Sequence, residues 1–362
     1  MSRVLITGGA GFIGCRLASA LLDLDHDVDV LDNLHPQVHD RRGLPPELPT
    51  SARFLPGDVT AMDSWHAVLD VSRPDTVVHL AAETGTGQSL THPTRHASVN
   101  VYGTAALMEA LETASNRPSH IVLASSRAVY GDGAWSTAEG AVFYPGHRTV
   151  QQLETGIWDY RHPDGPPAFA LASQAGATVP SPTNVYAATK LAQEHMLSAW
   201  CQARDVDLSI LRFQNVYGPG QSVTNSYTGV LTFFARTALD GGVIDVYEDG
   251  EIVRDFVFVD DVVSAIVGAI GRPGNRVVDV GSGHRATIGE VATLVALASG
   301  APPPKVSGRF RHGDVRAAWC DISRTQSELG YSPRWNLESG VRALLEWIPT
   351  TGNADEERSS NR

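Results

Sequence analysis

The chain has 362 residues, 42% hydrophobic and 19% charged, with a formal net charge of −12. That length can bury a large core, more readily as two domains than one. The acidic balance argues against nucleic acid or an anionic membrane as the main partner. The cysteines (Cys15, Cys201, Cys320) are far apart and in no metal or redox spacing, so a reducing cytoplasm and no bound metal are expected. The first residues enter a core strand, so no signal peptide is expected, and no apolar run is long enough to span a bilayer.

Residues 3–6 predict a short strand buried on both faces, followed by Thr7-Gly8-Gly9-Ala10-Gly11-Phe12-Ile13-Gly14 and an amphipathic helix to residue 24. A strand, a glycine-rich turn and a helix form the context a dinucleotide fingerprint requires. Gly8 permits the tight turn, Gly11 the approach of a pyrophosphate, and Gly14 close packing of helix on strand. Free N–H groups at the helix start face the phosphates.

A second strand, 27–31, ends at Asp32-Asn33. Asp32 falls near the roughly 20-residue offset at which a carboxylate binds the adenosine ribose, and it would repel a 2′-phosphate, so NAD is expected over NADP. After a polar, Pro-rich loop and a third strand near residues 53–55, Asp58 precedes Val59 and could accept a hydrogen bond from the adenine amino group. Helix 62–72 leads to strand 76–80, which runs into Ala81, Ala82, Glu83, Thr84 and Gly85. Small residues at a strand's C-terminal end suit a surface that touches cofactor and substrate. Helix 94–115 carries Asn100, whose amide, if buried, must be satisfied structurally or by supporting the neighbouring loop.

The fifth strand, 120–124, runs into Ser125-Ser126-Arg127-Ala128-Val129-Tyr130-Gly131. Helix 184–204 carries Tyr186 and Lys190, four apart and so on one face. A nearby ammonium would stabilise the phenolate and make Tyr186 usable as a base near neutrality. Tyr-x-x-x-Lys alone arises often by chance; its weight here comes from the fingerprint upstream and the strand-end serine between them.

Together these motifs resemble an extended short-chain dehydrogenase/reductase of the nucleotide-sugar epimerase/dehydratase type, across nearly the whole chain. The resemblance implies a Rossmann-type doubly wound parallel α/β sheet over residues 1–215 and a smaller C-terminal α/β substrate domain over 216–349, part of which returns to the first. By position it makes Ser126 the hydroxyl that bonds the sugar oxygen, Tyr186 the acid/base, and Lys190 the holder of the nicotinamide ribose. It adds Phe12, Ile13, Asn33, Val59, Leu80, Ala81, Ala82, Asn100 and Ala124 to the cofactor contacts. Toward the substrate it adds Thr84, Gly85, Arg127 and, for the diphosphate, Asn215, Arg254 and Arg311. Arg254 stands in Arg254-Asp255-Phe256-Val257-Phe258-Val259-Asp260, and Arg311 in Arg311-His312-Gly313-Asp314, with His312 where the family has proline. Family helices 94–115 and 184–204 pair in a homodimer, and Val99, Ala106, Leu107, Ala110, Leu191, Met196, Leu197 and Trp200 give these two apolar stripes.

Residues 132–182 form an insertion rich in Gly and Pro, expected as a lid, small subdomain or interface element. From residue 350 the polar tail predicts disorder. Arg127-Ala128 stand where similar dehydratases carry an acid pair, which leaves C4 epimerisation of a nucleotide sugar, a dTDP-(6-deoxy)hexose, through a transient 4-keto sugar. Residues 32–39 and 85–89 resemble the dTDP-rhamnose 4-epimerase group. The alternatives are a 4-ketoreductase with the same triad and a non-catalytic NAD sensor, which would be expected to have lost Tyr186 or Lys190.

Overall fold

The computed structural model describes residues 2–39, 43–161, 165, 168–223, 229–272, 274–311 and 313–359. Strand and helix alternate first as β1 (Arg3–Thr7), α1 (Phe12–Leu22), β2 (Asp27–Asp32), β3 (Arg53–Pro56), α2 (Met62–Ser72) and β4 (Thr76–His79). Val4, Leu5, Ile6, Val77 and Val78 have no exposed surface. Such apolar runs are what a parallel sheet covered on both faces requires.

Next come α3 (Thr86–Thr91), α4 (Pro93–His96), a π-helical turn (Ala97–Tyr102), α5 (Gly103–Thr113), β5 (His120–Ser126) and a 3-10 turn (Arg127–Tyr130). The helix predicted over 94–115 thus carries a π turn at Asn100, a feature common at functional sites. The insertion contains β6 (Trp135–Thr137), β7 (Val142–Phe143), α6 (Val150–Glu154) and β8 (Ala168–Ala170), its strands forming an antiparallel sheet ordered β7-β6-β8. It is a small subdomain.

The chain continues through α7 (Val185–Arg204), β9 (Asp207–Phe213), β10 (Asn215–Tyr217), α8 (Val230–Leu239), β11 (Asp245–Val246), β12 (Val253–Arg254), β13 (Phe256–Phe258) and α9 (Val259–Ala269). It ends with β14 (Arg276–Val280), β15 (Ala286–Thr287), α10 (Ile288–Ser299), β16 (Lys305–Val306), β17 (Ala317–Ala318), α11 (Ser323–Leu329) and α12 (Leu337–Ser359).

Seven strands pair in parallel in the order β14-β9-β5-β4-β1-β2-β3, a Rossmann-type doubly wound sheet. Strand β14 therefore returns to the first layer, and α9 packs on α1 in the same core. A second core, built from Tyr217, Leu231, Phe234, Phe258, Val291, Val295 and Leu344, belongs to α8, α10, α12 and the short strands. Phe12 and Ile13 pack against it, so the start of α1 touches both layers. Helical backbone continues through residues 350–359, where composition predicts disorder.

Ala106, Leu107, Ala110 and Leu197 lie in the chain's own core and cover the sheet. That leaves Val99, Leu191, Met196 and Trp200, all half-buried, from the two predicted stripes. No helix among the described residues is long and apolar enough to cross a membrane.

Candidate active site

The glycine turn has the shape its sequence predicts. Gly8 has φ +67°, and a Cβ there would stand 2.8 Å from the backbone of Ala81. A Cβ on Gly14 would stand 2.4 Å from Gly9 Cα, so helix and turn could not close on any larger residue. At Gly11 the nearest atom, Gly8 O, would be 3.2 Å away. No side chain caps α1, which leaves the N–H groups of its first turn for an anion. Leu80 and Ala81 are laced to the end of β1, their N–H groups donating to Thr7 O at 3.1 Å and Thr7 Oγ1 at 3.2 Å. Ala82 follows them, half-buried, and Ala124 is buried near the end of β5.

Asp32 ends β2 and holds the turn: its carboxylate accepts from Ala10 N at 3.1 Å and Leu34 N at 2.8 Å. Asn33 Nδ2 donates to Asp58 Oδ2 at 2.9 Å. Burial pushes the Asp58 carboxyl up, but bonds from Thr60 and Asn33 outweigh it and hold it below the usual range. Val59 is buried, and its carbonyl accepts from the Trp65 indole at 2.8 Å. These residues fit a dinucleotide: a cradle that a Cβ would fill, an uncapped helix start, and a carboxylate at the end of the second strand.

Asn100 resolves in favour of support. Its Nδ2 donates to Glu83 O at 3.0 Å and Thr189 Oγ1 at 2.9 Å, and its Oδ1 accepts from Glu83 N at 2.8 Å. It therefore ties the loop after β4 to α7. Thr84 is exposed and Gly85, with φ +102°, caps the start of α3 at the cleft's edge.

Ser126 and Tyr186 come together: the Ser126 hydroxyl lies near enough to the phenol to act on its pKa. Burial pushes the phenol's pKa up, and Ser126 and then Arg127 oppose it. The sequence predicts that Lys190 plays this second part as well. Lys190 is one turn further along α7 and 3% exposed; burial pushes its ammonium down to about 7, opposed by Glu194. The Glu194 carboxylate is buried, accepting from Ser125 Oγ at 2.5 Å and from Arg212 Nε and Nη2 at 2.9 and 2.6 Å. Sequence reasoning passed over Glu194, although its position four residues beyond Lys190 was a readable sign.

Arg254 is 6% exposed, and its Nη1 donates to Val253 O at 2.8 Å. It has no carboxylate within ion-pair distance among the described residues. Burial holds its guanidinium below the ordinary value, with Asp314, Asp132 and Glu248 opposing. Arg127, not Arg311, is the predicted arginine that feels it: burial and then Arg254 lower the pKa of Arg127. Arg311 is exposed, with its guanidinium 5.1 Å from the Tyr247 ring centre, and His312 lies outside the described residues. Asn215 begins β10, and its buried Oδ1 has no partner.

The insertion docks on this side through charge that the sequence did not reveal. Arg148 Nη1 donates to Glu248 at 2.8 Å, both side chains at most 2% exposed, and Arg316 adds bonds to Glu248, Asp249 and Asp159. Trp135, Tyr160 and Ala168 pack on Ala317 beside them. Among the described residues no group of three or more His, Cys, Asp or Glu stands in a metal-holding arrangement.

Comparison with known proteins agrees with this geometry. The family model described as NAD dependent epimerase/dehydratase matches residues 4–148 and 162–281. The chain is 49% identical over 348 residues to a dTDP-L-rhamnose 4-epimerase of Burkholderia thailandensis, covering 96% of this chain and 94% of that one. It is 31% identical to a UDP-glucose 4-epimerase of Mycolicibacterium smegmatis, covering 96% and 98%. The solved Thermus thermophilus UDP-glucose 4-epimerase in complex with NAD superposes with a TM-score of 0.76 at 29% identity, covering 96% and 99%. With a fingerprint turn, a Ser126–Tyr186 pair and a family match over most of its length, the chain belongs to the NAD dependent epimerase/dehydratase family.

Proposed function

We propose that this protein is an NAD-dependent nucleotide-sugar C4 epimerase acting on a dTDP-6-deoxyhexose. The observation that carries the reading is the wall of the cleft after β5, where Ser126 meets Tyr186 and the next two residues are Arg127 and Ala128. A dehydratase needs a further acid and base there, and neither side chain supplies one. The 49% identity to the dTDP-L-rhamnose 4-epimerase supports the nucleotide and the deoxysugar.

Bound NAD supplies the two-electron acceptor and donor at C4, held by the residues of the glycine turn, Asp32 and Lys190. Tyr186 takes the proton of the 4-hydroxyl while Ser126 bonds that oxygen, and later returns it. Arg254 and Asn215 hold the diphosphate while the 4-keto sugar turns to present its other face. A buried guanidinium without a carboxylate partner is well matched to a phosphate oxygen. We read the half-buried residues Val99, Leu191, Met196 and Trp200, with exposed Tyr102, as the surface that pairs two copies. A dimeric mass by light scattering is expected, and a monomer at micromolar concentration would remove that part of the reading.

The test is incubation of the purified protein with dTDP-L-rhamnose and no added nicotinamide. Appearance of the C4 epimer is the expected result. Conversion only of a 4-keto sugar, with consumption of added NADH or NADPH, would replace the epimerase with a ketoreductase.

A further inference from the structure

Arg127 has a place in the cleft that neither the glycine turn nor the diphosphate explains. It opens the 3-10 turn after β5, which Ser126 caps by accepting from Ala128 N at 3.2 Å. Helix α7 packs against this turn, so Arg127, Ser126 and Tyr186 share one wall. Both Arg127 and Tyr186 are half-buried. The Arg127 guanidinium makes no hydrogen bond or ion pair with any described residue, unlike Arg148, Arg212 and Arg316, each locked to buried carboxylate.

The other charged or titratable groups near the phenol are accounted for. His96, on α4, lies edge-on with its ring 6.2 Å from the Tyr186 ring, and burial lowers its pKa, so it is neutral at pH 7. His79, on β4, is brought down to about 3 by burial and then by Lys190, and is neutral as well. Lys190 shares α7 with Tyr186 but has Glu194 as its counter-charge. Around Arg127 itself stand Arg254, Asp314 and Asp132. Burial and then Arg254 weaken Arg127's hold on its proton, but a guanidinium is not deprotonated in a protein, so Arg127 carries its charge at every pH at which the phenol titrates.

We propose that Arg127 acts through Tyr186: its charge, left without a carboxylate partner beside the Ser126–Tyr186 pair, sets the pH at which the phenol becomes a base. Arg127 is then a positioning residue for the proton transfer, and the inference rests on Tyr186 being the acid/base group. The sign is fixed by electrostatics. A cation favours phenolate, so removing it raises the phenol's pKa and moves the acid limb of the rate profile to higher pH. One opposite charge within about 4–6 Å shifts a pKa by about 1–3 units.

The test is an ultraviolet difference titration of tyrosinate on the NAD-loaded protein, taking the Tyr186→Phe protein as blank. It is repeated in Arg127→Gln and Arg127→Lys backgrounds, each with its own Tyr186→Phe blank. The Tyr186 transition is expected to move up by about 1–3 pH units in Arg127→Gln and to stay near wild type in Arg127→Lys. Arg127→Met, which keeps the length without the charge, carries the same expectation should Arg127→Gln not fold. An unmoved transition in the neutral variants would overturn the proposal, as would Arg127→Lys shifting as far as they do, which would make the role one of shape. The titration needs no turnover. Failure of C4 epimerisation with a shifted transition removes only the epimerase reading, and an unmoved transition in an active epimerase removes only this inference.

Discussion

The glycine turn and the insertion are the two regions that flank the cleft, and they are built by opposite means. The turn is backbone: Gly8 and Gly14 work because they have no Cβ, and Asp32 holds two main-chain N–H groups. The insertion is side chain: Arg148, Glu248 and Arg316 meet from parts of the chain far apart in sequence, and all are buried. Local backbone geometry can be written into a dozen consecutive residues, whereas a buried ion-pair network is specified only by the finished fold.

The contrast can be broken first at the point both regions serve. Tyr186→Phe should lower kcat by about 10²–10⁴-fold, the usual share of a positioned acid/base, with NAD content and unfolding temperature unchanged. Steady-state kinetics on the substrate decide it, and a variant turning over like wild type would remove Tyr186 from the mechanism.

Next in size is the insertion. Glu248→Ala leaves Arg148 buried without its counter-charge, and breaking such a pair costs about 3–5 kcal/mol. Glu248 also sits at φ +54°, a backbone state that costs a non-glycine residue about 1–3 kcal/mol and needs its surroundings to hold it. Urea unfolding should show the loss while co-purified NAD stays at wild-type level. Loss of NAD without loss of stability would mean that the two regions are not independent.

The smallest effect belongs to the turn. Asp32→Ala should narrow the preference for NAD over NADP by roughly tenfold, about 1.4 kcal/mol, by removing the carboxylate that repels a 2′-phosphate. Competition binding of the two dinucleotides measures it; equal affinities in the unaltered protein would show that Asp32 does not discriminate.

What was legible in the sequence follows the same division. Strand 207–213, helix 62–72 and the glycine turn were readable because hydrophobic period and glycine spacing are local signals. Ser126, Tyr186 and Lys190 were readable as a motif, but the Arg127 charge proposed to act on Tyr186 was not. Helical spacing put Lys190 on the right face of α7, but gave no sign of its burial near Glu194. Arg127 comes near the phenol because the turn after β5 packs on α7, and no spacing rule encodes that. Arg311 shows the converse: a motif placed it with Arg254, and the structure sets its guanidinium 5.1 Å from the ring centre of half-buried Tyr247. The π turn at Asn100 was invisible for a related reason, since its cause is the partner loop at Glu83.

The central claim is that the hydrogen removed from C4 returns to the same carbon within one closed site. The direct measurement uses a dTDP-6-deoxyhexose carrying deuterium at C4, incubated in ordinary water with the protein as purified and no added nicotinamide. The account predicts the C4 epimer with its deuterium fully retained, seen by mass and proton NMR of the product. Epimerised product that has lost deuterium to solvent, or no epimerisation until a reduced nicotinamide is supplied in stoichiometric amount, would contradict it.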